Sequence, residues 1–285
     1  MKKRIFTEEE IKGVIYNYEV LKMSRKRSGE PYHISERLVK RLLEENGIHV
    51  KTIQETNCSK YKINDNYFST QGHNQAYIIG FLAADGNISN KDNRIDLELF
   101  SEDKEILDKI RIELQLEREV KIYQCKNGYV KNKLYFYSAQ IKRDLMSYGI
   151  VPNKTYSDDF DFPYLLKEEY LMDYIRGYFD GNGSCKKGTS LAFQIDCPSL
   201  KVITGIRDFL FTKYNVWTDI CLQEKEKIQL YRICYYGDRA KRIYQNLYTP
   251  NSLFLQRKRD KLLAYYNEIE LQETSASSDE EEKIC

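Results

Sequence analysis

Apolar and polar positions alternate at helical spacing in the first 57 residues. One stretch begins at Thr7, a residue type that caps helix N-termini, and continues into an acidic first turn. Apolar residues then recur every three or four positions, at Ile11, Ile15, Tyr18 and Leu21. A second stretch begins at Ser35 and ends at Asn46-Gly47, a typical C-terminal stop. The pattern predicts two helices joined by a basic loop.

From residue 76 onward, one pattern occurs twice. The apolar, glycine-containing segments AYIIGFLAADG, from Ala76, and DYIRGYFDGNG, from Asp173, each open the same series. Each is followed by an alternating strand, an amphipathic helix, Tyr-rich strands and another helix. These elements are predicted at 94–100, 101–114, 120–139 and 141–150 in the first copy, and at 190–196, 198–210, 216–236 and 238–248 in the second. Duplication at this length predicts two similar halves rather than a solenoid.

The charge balance narrows the function classes. The chain has 285 residues, with 45 Lys and Arg against 43 Asp and Glu, a formal net charge of +2. This balance excludes a polycation that binds nucleic acid by bulk charge alone, but it allows local basic patches. The 24 Tyr and 12 Phe residues suit half-buried β surfaces.

Several other classes are not supported by the residues. No apolar run approaches the ~18 residues of a membrane span, and the N-terminus lacks the apolar stretch of a signal peptide. The seven cysteines contain no C-x-x-C pair, so neither a disulfide framework nor a zinc ribbon is expected. No Gly-rich nucleotide-binding motif occurs. We therefore expect a cytoplasmic protein that is not secreted.

The two glycine-containing segments have a physical requirement in common. A lone Gly in a helix costs on the order of 1 kcal/mol against Ala, and Gly80 and Gly177 each carry that cost. Two helices packed backbone to backbone would offset it. Their ends would then place Asp85 beside Asn182, giving oxygen ligands for a hard cation facing a phosphate. The alternative is a pair of buried helices with ordinary glycine C-caps.

The segments YIIGFLAADGNI and YIRGYFDGNGS resemble the two signature helices of LAGLIDADG homing endonucleases in their single-chain, two-motif form. The flanks LMSYGIVPNKT and LFLQRKRDKL resemble the usual ends of the family's first and second halves. The resemblance covers about residues 60–265. It implies an α+β fold of two pseudo-symmetric αββαββα halves, in which antiparallel saddle sheets pack through the paired motif helices and follow the DNA major groove.

The predicted organisation adds a small N-terminal helical domain to these halves. The segments are a helix-turn-helix-like DNA-binding segment at 1–57, a linker at 58–75, the first half at 76–158, the second half at 159–268 and a disordered acidic tail at 269–285. A plain helical hairpin with solvated charges is the alternative for the first segment.

The resemblance also implies a site and its chemistry. Family members use Mg²⁺, or Mn²⁺, and a water nucleophile to cut both strands of a long asymmetric duplex site. Carried over to this chain, the implied catalytic residues are Asp85, Asn182, Lys154 and Lys258, and the implied metal ligands are Asp85, Asn182 and the backbones of Gly86 and Gly183, with Gly80 and Gly177 packing the helices.

Double-stranded DNA is the implied partner, bound by a monomer. The predicted DNA contacts lie in the basic N-terminal segment and on the Tyr-rich strands. They are Lys22, Arg25, Lys26, Arg27, Arg37, Lys40, Arg41, Lys121, Tyr123, Gln124, Lys131, Lys133, Gln223, Lys225, Lys227 and Arg232.

Asn182 departs from the family pattern, which has an acid at this position. An amide oxygen can coordinate Mg²⁺, but it carries no charge. Asp180 lies two residues earlier, and on a helix it points about 200° away. Three outcomes are open: slowed cutting of one strand, which gives a nick; binding without cleavage; or recruitment of another acid.

Two other functions remain as alternatives to a homing endonuclease. The first is a non-catalytic DNA-binding protein or regulator on the same fold, because fold does not dictate chemistry. The second is an unrelated Tyr-rich binding protein. Mg²⁺-dependent nicking separates an endonuclease from a regulator. Salt-sensitive DNA binding separates both of these from an unrelated Tyr-rich binding protein.

Overall fold

The chain divides into two compact units between Thr56 and Asn57. The computed structural model describes residues 4–58, 60–187, 191–225, 228–250 and 252–265. The predicted tail at 269–285 therefore lies outside the described residues. In the described ranges, every helix is too short or too polar to cross a membrane.

The helices are α1 (Glu8–Ile15), α2 (Arg25–Gly29), α3 (Glu36–Glu45), α4 (Ile53–Cys58), α5 (His73–Asp85), α6 (Lys104–Glu113), α7 (Ala139–Ser147), α8 (Glu168–Asn182), α9 (Leu200–Tyr214), α10 (Asp238–Leu247) and α11 (256–265). The strands are β1 (Gly86–Ile88), β2 (Arg94–Phe100), β3 (Lys121–Gln124), β4 (Val130–Tyr137), β5 (Gly183–Lys187), β6 (Leu191–Cys197), β7 (Cys221–Lys225) and β8 (Ile228–Tyr236).

The N-terminal unit contains two short helices that the pattern does not predict, α2 and the start of α4. Thr7 caps α1 as expected, and Glu10 completes a capping box, with the Thr7 side chain accepting from the Glu10 backbone N–H and the Glu10 side chain accepting from the Thr7 N–H. The expected basic loop holds α2, because Ser24 caps it by accepting from the Arg27 N–H at 3.3 Å. Helices α1, α2 and α3 enclose a small core of Val14, Ile34, Val39, Leu42 and Leu43.

The second unit has the two-half architecture. The first half runs α5-β1-β2-α6-β3-β4-α7, and the second runs α8-β5-β6-α9-β7-β8-α10. Each half has a four-stranded antiparallel sheet, ordered β1-β2-β4-β3 in the first and β5-β6-β8-β7 in the second. The predicted α+β fold of two αββαββα halves is confirmed.

Side chains alternate between the two faces of each sheet. In β4, Leu134 and Phe136 are buried, while Lys133 and Tyr135 are partly exposed. In the first sheet α6 contacts β2 and β4, and in the second sheet α9 and α10 contact β6 and β8. One face of each sheet therefore packs on helices, and the other carries polar side chains.

Residues 60–72, expected as part of a linker, differ from that expectation. Tyr67 and Phe68 are buried in the same core as the sheets. The Asn64 N–H donates to Leu114 O at 2.9 Å. The segment joins the first half because its two aromatic residues supply apolar surface that an extended linker would leave in water.

Candidate functional site

Helices α5 and α8 meet backbone to backbone at their two glycines. A Cβ added to Gly80 would lie 2.0 Å from Tyr174 O, and one added to Gly177 would lie 2.0 Å from Tyr77 O. The contacts are reciprocal, as expected for two equivalent helices related by a pseudo-twofold axis. No side chain larger than hydrogen fits at either position, so the predicted reason for the two glycines holds.

The close approach brings the C-terminal ends of both helices together. The Asn182 Nδ2 group donates to Ala84 O at 3.5 Å. A Cβ added to Gly181 would lie only 3.3 Å from Asp85 Oδ2. Asp85 is half-buried and Asn182 is exposed. The structure therefore places the two predicted site residues side by side.

The two predicted catalytic lysines bind the helix ends in equivalent ways. Lys154 Nζ donates to Leu82 O at 3.3 Å and also to Gly86 O. Lys258 Nζ donates to Phe179 O at 2.6 Å and to Gly183 O at 2.7 Å. Each ammonium adds a second donor to a carbonyl of the last helical turn, because Leu82 O and Phe179 O also accept from the backbone N–H of Gly86 and Gly183. The Gly86 and Gly183 carbonyls, predicted as backbone metal ligands, are thus already hydrogen-bonded to lysine.

Burial dominates the electrostatics of this cluster. It lowers the pKa of Lys154 to about 8, against an opposing effect of Asp85. It likewise lowers the pKa of Lys258 to about 8. Burial also raises the pKa of the Asp85 carboxyl, while Lys258 and Lys154 act in the opposite direction. Asp103 raises the pKa of Asp85 further, and Arg257 lowers it.

This donor set does not fit the pair of Mg²⁺ ions that the family resemblance implies. Divalent metal sites of this kind depend on carboxylates, and only Asp85 supplies one here. The Asn182 amide is neutral, and both lysines add positive charge. In the part of the chain that the structure describes, no three His, Cys, Asp or Glu side chains are grouped to hold a metal ion.

Asp180 is not available as a substitute acid. Its carboxylate accepts from the Tyr77 hydroxyl at 2.9 Å, the Tyr248 hydroxyl at 2.7 Å and the Leu255 N–H at 2.7 Å. These bonds face the interior, in agreement with the helical geometry that places Asp180 away from Asn182. Asp180 instead anchors the segment that leads to Lys258.

The predicted DNA contacts of the N-terminal unit fall into two groups. Arg25 pairs with Glu36 at 2.9 Å, and Lys40 pairs with Glu44 at 3.6 Å. Arg41 donates to a backbone carbonyl at 2.6 Å. The second group is exposed and makes no ion pair within the described residues: Lys22, Lys26, Arg27 and Arg37.

On the first sheet, four of the five predicted DNA contacts share the face that is free of packed helices. Lys121 lies opposite Lys133, and Tyr123 lies opposite Lys131, in the antiparallel register of β3 and β4. Gln124 alternates onto the other face.

The second sheet brings two of its predicted DNA contacts together. Gln223 and Arg232 lie on the same face, since their strand partners are Leu230 and Cys221. Lys225 ends β7, and its side chain is outside the described part of the chain. Lys227 lies outside the described residues altogether.

From the sequence we did not predict three carboxylates that lie on the helix-free faces of the two sheets. Glu98 binds Lys131 at 2.8 Å and Lys133 at 3.0 Å. Asp96 lies 3.0 Å from Lys133 Nζ. Asp196 holds Arg232 at 2.6 Å. The alternation of polar positions in RIDLELF and in SLAFQID was the available signal.

Comparisons with known proteins find similarity at a low level. The chain matches no protein-family model and no curated protein. Solved structures to which it is similar include the homing endonuclease I-WcaI bound to its DNA recognition sequence, with 14% identity, a TM-score of 0.47 and coverage of 66% of this chain and 91% of that one. I-DmoI in complex with DNA and Ca has 14% identity and a TM-score of 0.45, covering 70% of this chain and 99% of that one. The N-terminal LAGLIDADG domain of DUF199/WhiA has 14% identity and a TM-score of 0.41, covering 71% of this chain and 96% of that one.

The arrangement as a whole has two chemical capacities. Two equivalent sheets offer polar, partly basic faces, and the paired helices place one carboxylate and two lysines at the junction between the halves. The faces suit a long polyanion with a readable surface. At the helix ends, two lysines accompany the Asp85 carboxylate, and Asp103 and Arg257 also act on it.

Proposed function

We propose that this protein binds a long, asymmetric duplex DNA site as a monomer, with one sheet on each half of the site. The supporting observation is the reciprocal packing at Gly80 and Gly177, which joins two equivalent sheets in one chain. Each sheet is covered by helices on one face only. A two-stranded ribbon fits the major groove, where each base pair presents a distinct hydrogen-bonding pattern.

The basic residues support the electrostatic part of this proposal. Lys26, Arg27 and Arg37 are exposed in the N-terminal unit and make no ion pair in the described part of the chain. On the first sheet, Lys121 is exposed on the helix-free face. Such residues contact phosphates and supply affinity without sequence preference.

Endonuclease activity of the homing type is the second candidate. The observation that favours it is Asp85, a carboxylate held at the end of α5 beside the end of α8. The observation against it is Asn182, which leaves that junction with a single carboxylate. Binding is therefore the function that the geometry supports best.

The test begins with selection of bound duplexes from a random library by the full chain at two salt concentrations. We expect the bound duplexes to share a consensus sequence. We also expect the logarithm of the binding constant to fall linearly with the logarithm of the salt concentration. Binding that is absent or insensitive to salt would contradict the proposal. The recovered duplex, incubated with Mg²⁺ or Mn²⁺, then decides the second candidate: linear or nicked product assigns an endonuclease, and intact DNA assigns a binding protein.

A further inference from the structure

The two sheets carry a carboxylate–cation pair at equivalent register positions. In the first sheet, Glu98 on β2 lies opposite Lys133 on β4. In the second sheet, Asp196 on β6 lies opposite Arg232 on β8. Glu98 directly follows the residue that pairs with Gly86, the first residue of β1. Asp196 directly follows the residue that pairs with Gly183, the first residue of β5. The pairs are therefore related by the same pseudo-twofold relation as the motif helices.

Both pairs are closely held. Lys133 Nζ lies 3.0 Å from Glu98 Oε2 and 3.0 Å from Asp96 Oδ1. Arg232 forms a two-point contact with Asp196, from Nε at 2.6 Å and from Nη2 at 3.0 Å. The contact to Lys131 lowers the pKa of Glu98 to about 2, so this carboxylate is ionised at neutral pH.

Both pairs remain accessible to a ligand on the helix-free face. The side chains of Lys133 and Glu98 are 22% and 29% exposed, and those of Arg232 and Asp196 are each 27% exposed. Ion pairs that remain partly exposed to water contribute little to stability. Two acids placed on a face that binds a polyanion are also repulsive toward it. Stability and general affinity therefore do not explain why the arrangement occurs twice.

Orientation of the cation does explain it. Among the described residues, Arg232 Nη1 has no hydrogen-bond partner while Asp196 fixes the plane of the guanidinium, and Lys133 keeps one of its three N–H donors. Guanine offers two acceptors, O6 and N7, in the major groove, and Arg or Lys contacts to them are the commonest specific contacts. A cation fixed by a carboxylate is also less able to move to a phosphate.

We propose that Lys133 and Arg232 each read the guanine of one G·C base pair, and that Glu98 and Asp196 are the positioning residues that aim them. The two base pairs lie at equal distances on either side of the midpoint of the site, with their guanines on opposite strands. The proposal rests on the proposed duplex DNA binding and names two base pairs that such a site contains.

The experiment measures the affinity of the full chain for its selected duplex and for a panel in which each base pair is replaced in turn. The variants are Lys133→Gln, Arg232→Gln, Glu98→Gln and Asp196→Asn. Glu105→Gln is the matched control, because Glu105 forms an ion pair of 2.6 Å with Lys109 on α6, away from the helix-free face. Thermal melting verifies that each variant is folded.

We expect the parent chain to lose about tenfold or more in affinity when either guanine is replaced. Lys133→Gln should remove the preference at one of the two base pairs, and Arg232→Gln should remove it at the other. Glu98→Gln and Asp196→Asn should weaken the same preferences while raising the affinity for unrelated duplex. They should also steepen the log–log salt slope by up to about 0.9 for each cation released to a phosphate.

A purely structural role of the two acids predicts a different result, in which their variants lower specific and unrelated binding together. That result would overturn the proposal. The proposal would also be overturned if no two G·C base pairs, placed symmetrically about the midpoint of the site, were needed for high affinity. Failure of the proposed function is distinguishable, since the parent chain itself would then show no salt-sensitive binding to any selected duplex.

Discussion

Single side chains at the ends of α5 and α8 give this junction a charge balance unlike that of a divalent metal site. Asp85 supplies one negative charge, and Lys154 and Lys258 supply two positive charges that bind helix carbonyls. Asn182 is the residue at which the balance departs from the family pattern. Its replacement is therefore the most informative single change.

The variant Asn182→Asp should introduce or increase cutting of the selected duplex with Mg²⁺ or Mn²⁺. The second carboxylate offsets one lysine and adds a charged oxygen ligand beside Asp85. Gel separation of supercoiled, nicked and linear plasmid carrying the site measures the effect. The double variant Asp85→Asn/Asn182→Asp is the control, because it keeps a single carboxylate and should gain nothing. Equal cutting by Asn182→Asp and the parent chain would contradict this account.

Lys258 should make the free energy of unfolding depend on pH. Burial holds its pKa at about 8 in the folded chain, below the ordinary value of 10.5. Between about pH 8 and 10.5 the unfolded chain therefore binds more protons at this residue, so its contribution to stability rises with pH. Below about pH 8 both states are protonated and the contribution is flat.

Urea unfolding of the parent chain and of Lys258→Met at pH 7, 8 and 9 measures this contribution. The free energy of unfolding of the parent minus that of the variant should change little from pH 7 to 8 and should increase clearly by pH 9. A decrease in this difference at pH 9 would show that the pKa of Lys258 is not lowered in the folded chain.

At the scale of elements, α5 and α8 pack so closely that their glycines are structural requirements. A Cβ on Gly177 would lie 2.0 Å from Tyr77 O and 2.8 Å from Phe81 N. Both are backbone atoms, which cannot move aside as the end of a flexible side chain can. The position of each sheet depends on this contact, since β1 and β5 begin where the two helices end.

Gly177→Ala should destabilise the chain by about 3 kcal/mol or more, toward the upper end of overpacking costs, because the two helix backbones must separate. Chemical unfolding measures the decrease in stability. Gly128→Ala is the control: a Cβ there meets nothing within 4 Å, and only its φ of +86° is unfavourable. That control should cost about 1–2 kcal/mol. Equal decreases for the two variants would contradict the close helix contact.

At the scale of the whole molecule, we propose that general affinity for DNA and selectivity among base pairs depend on different parts of the chain. The N-terminal unit has exposed basic residues that form no ion pair with any residue the structure describes, whereas the cations at the centre of the two sheets are held by carboxylates. If the chain binds duplex DNA as proposed, we expect the first unit to supply phosphate contacts and the two halves to supply base contacts.

The double variant Lys26→Gln/Arg37→Gln should therefore weaken binding to the selected site and to unrelated duplex by similar factors. The log–log salt slope should fall by up to about 1.8, because each cation that no longer neutralises a phosphate lowers it by about 0.9. The control is Lys109→Gln/Lys213→Gln, which removes two cations that pair with Glu105 and Glu168. Fluorescence anisotropy at several salt concentrations measures both pairs, and weakening confined to the selected site would contradict the assignment.

Local patterns in the sequence were sufficient to predict most of the elements. The strand expected at 94–100 is β2, and the helix expected from 238 is α10. The N-cap at Thr7 and the two glycine-containing helices were also predicted correctly. These features depend on residues within a few positions of each other, so their periodicity and capping chemistry are readable without the fold.

The sequence by itself determined that the chain has two equivalent halves and that Asp85 and Asn182 occupy matching positions. Only the tertiary structure decided that Lys154 and Lys258 bind helix carbonyls, and that Glu98 and Asp196 hold their strand partners. The physical reason is distance along the chain. A hydrogen bond between residues far apart depends on where the packed core brings their segments, and neither partner's neighbours in sequence record that position.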